Sequence, residues 1–208
     1  MLTAREVMAV SKIIPVISVK SVDEMLHLAE ALMKGGVNIF EITLRTAAAI
    51  EAIEAVVKEF PNAVTGAGTV INIDTFKAVE DVGAKFAISP GLTKSLAEFS
   101  KNSSMPLLPG IATASEIMKG MEYGFNAFKL FPATVVGGVP ALKAFSGPFK
   151  DVIFCPTGGI NADNARSFLD LPNVACIGGS WIVPQDLIEA KRFDEITKLT
   201  KQAVELLG

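Results

Sequence analysis

The 208-residue sequence predicts an α/β chain folded as a (β/α)8 TIM barrel with an extra N-terminal helix, in a single domain spanning residues 1–208. Three observations carry that prediction. Short β-branched runs alternate with amphipathic helical stretches from end to end, and the alternation reaches eight units. The connections are short and punctuated by Gly and Pro, with no linker or low-complexity segment. Polar residues also recur on one face of strands that an open two-sided parallel sheet would keep apolar on both. A doubly wound open sheet is the structural rival; the count of eight and the polar faces favour the barrel.

Residues 3–11 predict the extra helix, with Thr3 and Glu6 spaced as a capping box. IIPVISV (13–19) reads as the first strand, and Ser21 to Lys34 as a helix opened by Ser21 with Glu24 three residues on, then stopped by Gly35 and Gly36. NIFEITL (38–44) is the second strand. Its helix runs from Ala47 to Phe60, striped by Ile50, Ile53, Val56 and Val57 and ended before Pro61. Further strands are predicted at AVTGAG (63–68), KFAIS (85–89), LLP (107–109), AFKLF (127–131), VIFCP (152–156) and VACIG (174–178). Helices are predicted near Asp74–Val82, Lys94–Ser100, Thr113–Glu122 (Thr113 and Glu116 again forming a capping box), Val139–Phe145, Asn161–Leu169 and Phe193–Leu207.

Composition narrows the function classes. The chain is 50% hydrophobic and 20% charged, but no apolar run reaches the ~18 residues a span needs, and MLTAREVMAV lacks the charged start and apolar core of a signal peptide. A cytoplasmic protein is expected. A net charge of -3 without a basic block gives no footprint for nucleic acid, so an anionic ligand must be held locally. Cys155 and Cys176 are too few and too far apart for a zinc cluster or a CxxC pair and read as two reduced, buried thiols. His27, the only histidine, lies in a helical pattern and leaves little room for a Ser-His-Asp triad or a histidine zinc site.

Strand alternation then picks out candidate site residues. In the second strand Glu41, Thr43 and Arg45 share one face and Phe40, Ile42 and Leu44 the other. In the sixth, Ala127, Lys129 and Phe131 share a face, while Phe128 and Leu130 point to the helices. Ala67 with Thr69, and Cys155 with Thr157, form corresponding sets at the ends of the third and seventh strands. Glu41, Arg45, Thr69, Lys129 and Thr157 are therefore expected to converge at the C-terminal mouth, where barrel enzymes carry their chemistry.

Lys129 is the sharpest feature. Burial disfavours the charged form of an amine and so favours the neutral nucleophile that attacks a carbonyl. The bland alternative is a lysine that snorkels out, as Lys85 at the start of its strand can do; the position of Lys129 near its strand's end favours a role. Glu41 has two readings, a structural ion pair with Arg45 or a general acid-base group. A buried ion pair alone is costly, and Lys129 in the same mouth favours the second. TGGIN (157–161) and IGGSW (177–181) put glycine pairs after the last two strands, where backbone N–H groups, a helix starting at Asn161 and the Ser180 hydroxyl would suit a phosphate. GAGTV (66–70) lacks a full dinucleotide fingerprint and reads as a tight strand end.

With these residues assembled, the chain resembles the 2-keto-3-deoxy-6-phosphogluconate (KDPG) aldolases, also called 4-hydroxy-2-oxoglutarate (KHG) aldolases, through GGVNIFEITLRT, GAGTV, FAISPGLT, PLLPGI, FKLFPA, GPF, FCPTGGI and CIGGSW. The resemblance implies a class I aldolase on a (β/α)8 barrel, a homotrimer that takes a phosphorylated 2-keto acid and needs no metal or cofactor. It implies that Lys129 forms the Schiff base and Glu41 moves the protons. Arg45 and Thr69 would bind the carboxylate, Pro90 and Phe131 line that pocket, Thr157 sit near the C4 hydroxyl, and Gly158, Gly159 and Ser180 take the phosphate. Two positions depart from many members: Thr134 stands where FPAE often has the acid, and Ser18 is near a position where some carry arginine. Both bear on substrate preference. The alternatives are an aldolase for the C4 epimer, 2-dehydro-3-deoxy-6-phosphogalactonate, and a non-catalytic phosphometabolite-binding barrel.

Overall fold

The computed structural model describes residues 2–208. In chain order the elements are α1 (Ala4–Ala9), β1 (Ile13–Ile17), α2 (Val22–Lys34), β2 (Ile39–Thr43), α3 (Ala49–Glu59), β3 (Val64–Gly68), α4 (Ile73–Asp81), β4 (Ala87–Ile88) and α5 (Lys94–Ser100). Then follow β5 (Leu107–Leu108), β6 (Gly110–Ile111), α6 (Ala114–Glu122), β7 (Ala127–Leu130), α7 (Gly138–Ser146), β8 (Ile153–Pro156), α8 (Ala165–Leu169), β9 (Ile177–Gly179), α9 (Gln185–Glu189) and α10 (Phe193–Leu207). This is an α/β fold in which every strand pairing is parallel, in the sheet order β5-β4-β3-β2-β1-β9 and in a second sheet β6-β7-β8.

The caps behave largely as their spacing predicts. Thr3 with Glu6 and Thr113 with Glu116 form reciprocal capping boxes at α1 and α6. Ser21 accepts the Glu24 N–H at 3.2 Å, but the Glu24 carboxylate takes the N–H of Lys20 rather than that of Ser21.

Several boundaries differ from expectation for identifiable reasons. The run LLP with Gly110-Ile111 is one extended segment cut by Pro109, which has no N–H for a ladder. Its first part, β5, pairs with β4 and its second, β6, with β7, while the Pro109 carbonyl still accepts the Lys129 N–H at 2.9 Å. The run VACIG does not form a strand from Val174; β9 starts at Ile177. Isolated parallel bridges join Phe154 to Val174 and Thr157 to Gly178. Three steps along one chain meet four along the other, so one residue bulges between them. The helix predicted from Asn161 begins at Ala165, because the Asn161 side chain instead accepts the N–H groups of Asp163 and Asn164 in a local turn. The short α9, entered through Pro184, has no counterpart in the sequence reading.

The strands have an outer face toward the helices and an inner face. On the outer side Phe40, Ile42, Phe128 and Phe154 are fully buried. Phe128 fits there because α6 presents Gly120 to it: a Cβ on Gly120 would lie 2.3 Å from the ring. On the inner side Phe86 lies over Gly66, where a Cβ would come within 2.5 Å of the ring. This reverses the expected facing of the third strand. Gly66 and Gly68 look inward, in register with Glu41 and Thr43, and Ala67 looks to the helices beside Ile42.

Candidate active site

Lys129 is on the inner face of β7, 4% exposed, between the neighbouring backbones of Gly110 and Cys155. Its Nζ donates to Glu41 Oε1 at 3.0 Å and lies 5.0 Å from the centre of the Phe131 ring. Glu41, on β2, is 1% exposed. Two charges removed from water this far are costly to bury singly, and here each is the other's partner. Glu41 is thus paired with Lys129, not with Arg45 as one reading of FEITLR allowed.

The carboxylate has room because β3 supplies no side chain beside it. A Cβ on Gly68 would lie 2.4 Å from Glu41 Oε1. Arg45 follows β2, is exposed, and donates from Nε to Thr69 Oγ1 at 3.3 Å. Alternation alone would carry Thr69 away from the inner face with Ala67. It reaches Arg45 because its φ of 62° turns the chain back, a conformation uncommon for a β-branched residue. Thr43, on the inner face, is engaged structurally, donating to the Ile17 carbonyl at 2.8 Å.

A cleft of about 140 Å³ joins Arg45, Lys129, Phe131, Thr157, Gly158, Gly159 and Ser180. Val16, Ile160, Gly178 and Gly179 complete its wall. A second hollow of about 270 Å³ shares Val16, Arg45 and Ser180 and continues past Ser18 and Gln185. Pro90 is exposed and lines neither; its backbone approaches Gly110, where a Cβ would lie 2.3 Å from the Pro90 carbonyl. A larger hollow of about 290 Å³, lined by Thr3, Lys101, Tyr123 and Asn126, contains none of the predicted site residues. The buried ion pair makes the smaller cleft the chemically competent one.

Thr157 is buried on the floor, its Oγ1 3.8 Å from Cys155 Sγ. Gly178 faces it so closely that a Cβ would lie 2.2 Å from that oxygen. Cys155 and Cys176 are buried free thiols. A hydrogen bond with Cys155, and then burial, push the Cys176 thiol above its ordinary range. His27 lies outside the cleft, stacked on Phe193 at 5.3 Å. Lys85 is exposed, as the bland reading of GAKFAISP expects. Gly158 and Gly159 have φ of 100° and 75°. Because α8 starts only at Ala165, loop N–H groups rather than a helix end face the cleft at this point. Among the described residues no cluster of three or more His, Cys, Asp or Glu could hold a metal ion, and no helix is long and apolar enough to cross a membrane.

The sequence reading missed the inward glycines Gly66 and Gly68. Their signal was GAG itself, since glycine every second residue along a strand marks a face where something approaches closely. What the assembled groups can do is hold an amine and a proton carrier in contact at the bottom of an open cleft, with a guanidinium and unblocked backbone N–H groups above.

Comparison with known proteins gives a concordant result. A family model described as "Aldolase: KDPG and KHG aldolase" matches residues 4–199. The KHG/KDPG aldolase of Escherichia coli strain K12 is 50% identical over 203 residues, covering 98% of this chain and 95% of its own. The 2-dehydro-3-deoxy-phosphogluconate aldolase of Pseudoalteromonas atlantica is 47% identical, covering 97% and 94%. Among solved structures, a KDPG aldolase from Legionella pneumophila with pyruvate captured at low pH as a covalent carbinolamine intermediate superposes with a TM-score of 0.96 at 50% identity, covering 98% of each chain.

Proposed function

This chain belongs to the family of KDPG and KHG aldolases, and on that premise we propose that it is a class I aldolase. It cleaves 2-dehydro-3-deoxy-6-phosphogluconate to pyruvate and D-glyceraldehyde 3-phosphate, and 4-hydroxy-2-oxoglutarate to pyruvate and glyoxylate. The observation that carries the reading is the buried contact of 3.0 Å between Lys129 Nζ and Glu41 Oε1.

The reaction follows from that contact. Lys129 passes a proton to Glu41, and the freed amine attacks the C2 carbonyl to give a carbinolamine. Glu41 returns the proton to the departing hydroxyl, water leaves, and a protonated imine remains. That cation withdraws electrons from C2, with the Phe131 ring face near the nitrogen to stabilise it. The C4 hydroxyl, held by Thr157, gives its proton to the Glu41 carboxylate as the C3–C4 bond breaks, so the aldehyde departs and the bonding pair becomes a neutral enamine. Protonation of the enamine carbon through Glu41, followed by hydrolysis, releases pyruvate and restores Lys129. Arg45 offers a planar clamp for the C1 carboxylate, with Thr69 beside it. Phe131 borders that end, whereas Pro90 lies outside the cleft, and Gly158, Gly159 and Ser180 receive the phosphate. The electron sink is made from Lys129 itself, so this sequence calls on no metal or cofactor.

We infer that the two sheets form one closed (β/α)8 barrel in a single domain, with α1 as the extra helix. Support comes from Pro109 dividing one strand between the sheets and from the two bridges that link β8 with the segment running into β9. A cytoplasmic homotrimer completes the proposal, and a mass measurement in solution tests the trimer.

Borohydride reduction in the presence of pyruvate tests the chemistry. A reduced pyruvate adduct on a peptide containing Lys129 is expected; an unmodified peptide would refute the Schiff base and favour a binding barrel without turnover. Comparing cleavage of KDPG, its C4 epimer and KHG then separates the substrate alternatives.

A further inference from the structure

The turn after β8 sets Gly158 and Gly159 in succession at positive φ, 100° and 75°. Such a pair turns successive N–H groups to one side and carbonyls to the other, which makes a small concavity suited to an anion. The Gly158 N–H is engaged in the parallel bridge with β9, while among the described residues the N–H groups of Gly159 and Ile160 have no protein acceptor. The two carbonyls, by contrast, are both held from outside the turn. Gly158 O accepts the Thr134 N–H at 3.2 Å and the Thr134 hydroxyl at 3.3 Å. Gly159 O accepts from Asn164 Nδ2 at 2.9 Å.

Both holding residues are themselves fixed. Asn164 Oδ1 accepts the Asn161 N–H at 2.9 Å, and the Asn164 N–H donates back to Asn161 Oδ1 at 3.3 Å. Thr134 follows the segment that carries Lys129, and the Ala133 N–H donates to the Thr157 carbonyl at 2.8 Å, so the two loops are laced together. Thr134 also fills the space beside Gly159, where a Cβ would lie 2.0 Å from its Oγ1.

We propose that Thr134 and Asn164 are positioning residues for the phosphate monoester of the substrate. They hold the Gly158 and Gly159 carbonyls away from the cleft, which leaves N–H dipoles, not C=O dipoles, facing the anion. The inference rests on the aldolase reading and deepens it, because it assigns the residues that set the preference for a phosphorylated aldehyde half.

The test uses the full chain with Thr134→Val, which keeps the shape and removes the hydroxyl, and Asn164→Ala. Calorimetric titration with glycerol 3-phosphate reads the cradle. Enzyme-catalysed exchange of pyruvate methyl protons into D2O reads the Lys129 chemistry, which involves no phosphate. The dissociation constant for glycerol 3-phosphate is expected to rise about five- to tenfold in each variant, the scale of one lost hydrogen bond. Pyruvate exchange should remain at the wild-type rate. Unchanged binding in both variants would overturn the proposal, as would parallel losses in binding and exchange, which would mean general damage to the mouth. Wild-type protein that binds glycerol 3-phosphate but fails to exchange pyruvate would refute the aldolase reading, and the same binding comparison would still decide the role of Thr134 and Asn164.

Discussion

Replacing Gly68 with alanine should disable the enzyme without touching any group that reacts. The added methyl carbon would lie 2.4 Å from Glu41 Oε1, 2.7 Å from its Cγ and 2.9 Å from its Cδ. Non-bonded heavy atoms settle near ~3.5 Å, so the carboxylate must retreat by roughly 1 Å. A displacement of that size disturbs the 3.0 Å seating of the carboxylate against Lys129 Nζ. A misplacement of about 1 Å costs on the order of 10²-fold in rate, or about 2.7 kcal/mol of barrier. The φ of Gly68 lies outside the left-handed region, so alanine adds no backbone strain there. The assay is steady-state cleavage of KDPG, coupled to pyruvate detection, alongside pyruvate deuteration, with circular dichroism to verify folding. The loss should appear in kcat with KM little moved, since Arg45 and the glycine turn are untouched. A folded Gly68→Ala protein within about threefold of the wild-type kcat would refute the view that the seating of Glu41 against Lys129 sets the rate.

Three further outcomes are expected. Lys129→Ala should abolish borohydride trapping and nearly all cleavage. It should also destabilise the fold, because Glu41 at 1% exposure is left without its partner; the cost is about 3–5 kcal/mol when charged. Urea titration at pH 8 should read that deficit directly. Equal stability to wild type at pH 8 would contradict this. Glu41→Gln should slow cleavage by about 10² to 10⁴, and retained rates would assign the ion pair a purely structural role. Cys155 and Cys176 are buried, and the Cys176 thiol is held above its ordinary range. A thiol reagent at pH 8 should therefore find none reactive in the native protein and both after denaturation.

Much of the fold was legible because two periodicities write themselves into sequence: helix stripes such as Ile53 and Val56, and strand faces such as Glu41 with Thr43. The cleft was legible for the same reason. Charged and hydroxyl residues on one face of Val- and Ile-rich strands announce an interior that binds something. What could not be read depends on single dihedral angles and on partners distant in sequence. The φ of Thr69 returns its side chain to Arg45 against the alternation. Glu41 selects Lys129, 88 residues away, over Arg45, four residues away. Pro109 divides a strand without ending it, and the side chains of Asn161 and Asn164 divert what looked like the first turn of a helix into a local lock.

The bulge between the Phe154–Val174 and Thr157–Gly178 bridges has a consequence of parity. Alternation counts in twos, so one surplus residue exchanges odd for even in everything that follows. With even pairing, Thr157 would stand opposite Ile177, and Gly178 and Ser180 would be turned toward the helices. The surplus residue is what gives Thr157 a glycine for a neighbour and delivers Ser180 to the rim of the cleft. Deleting Ala175 would leave the composition of IGGSW intact and its orientation inverted. In this stretch a gain or loss of one residue rewrites the site, whereas many substitutions would spare it.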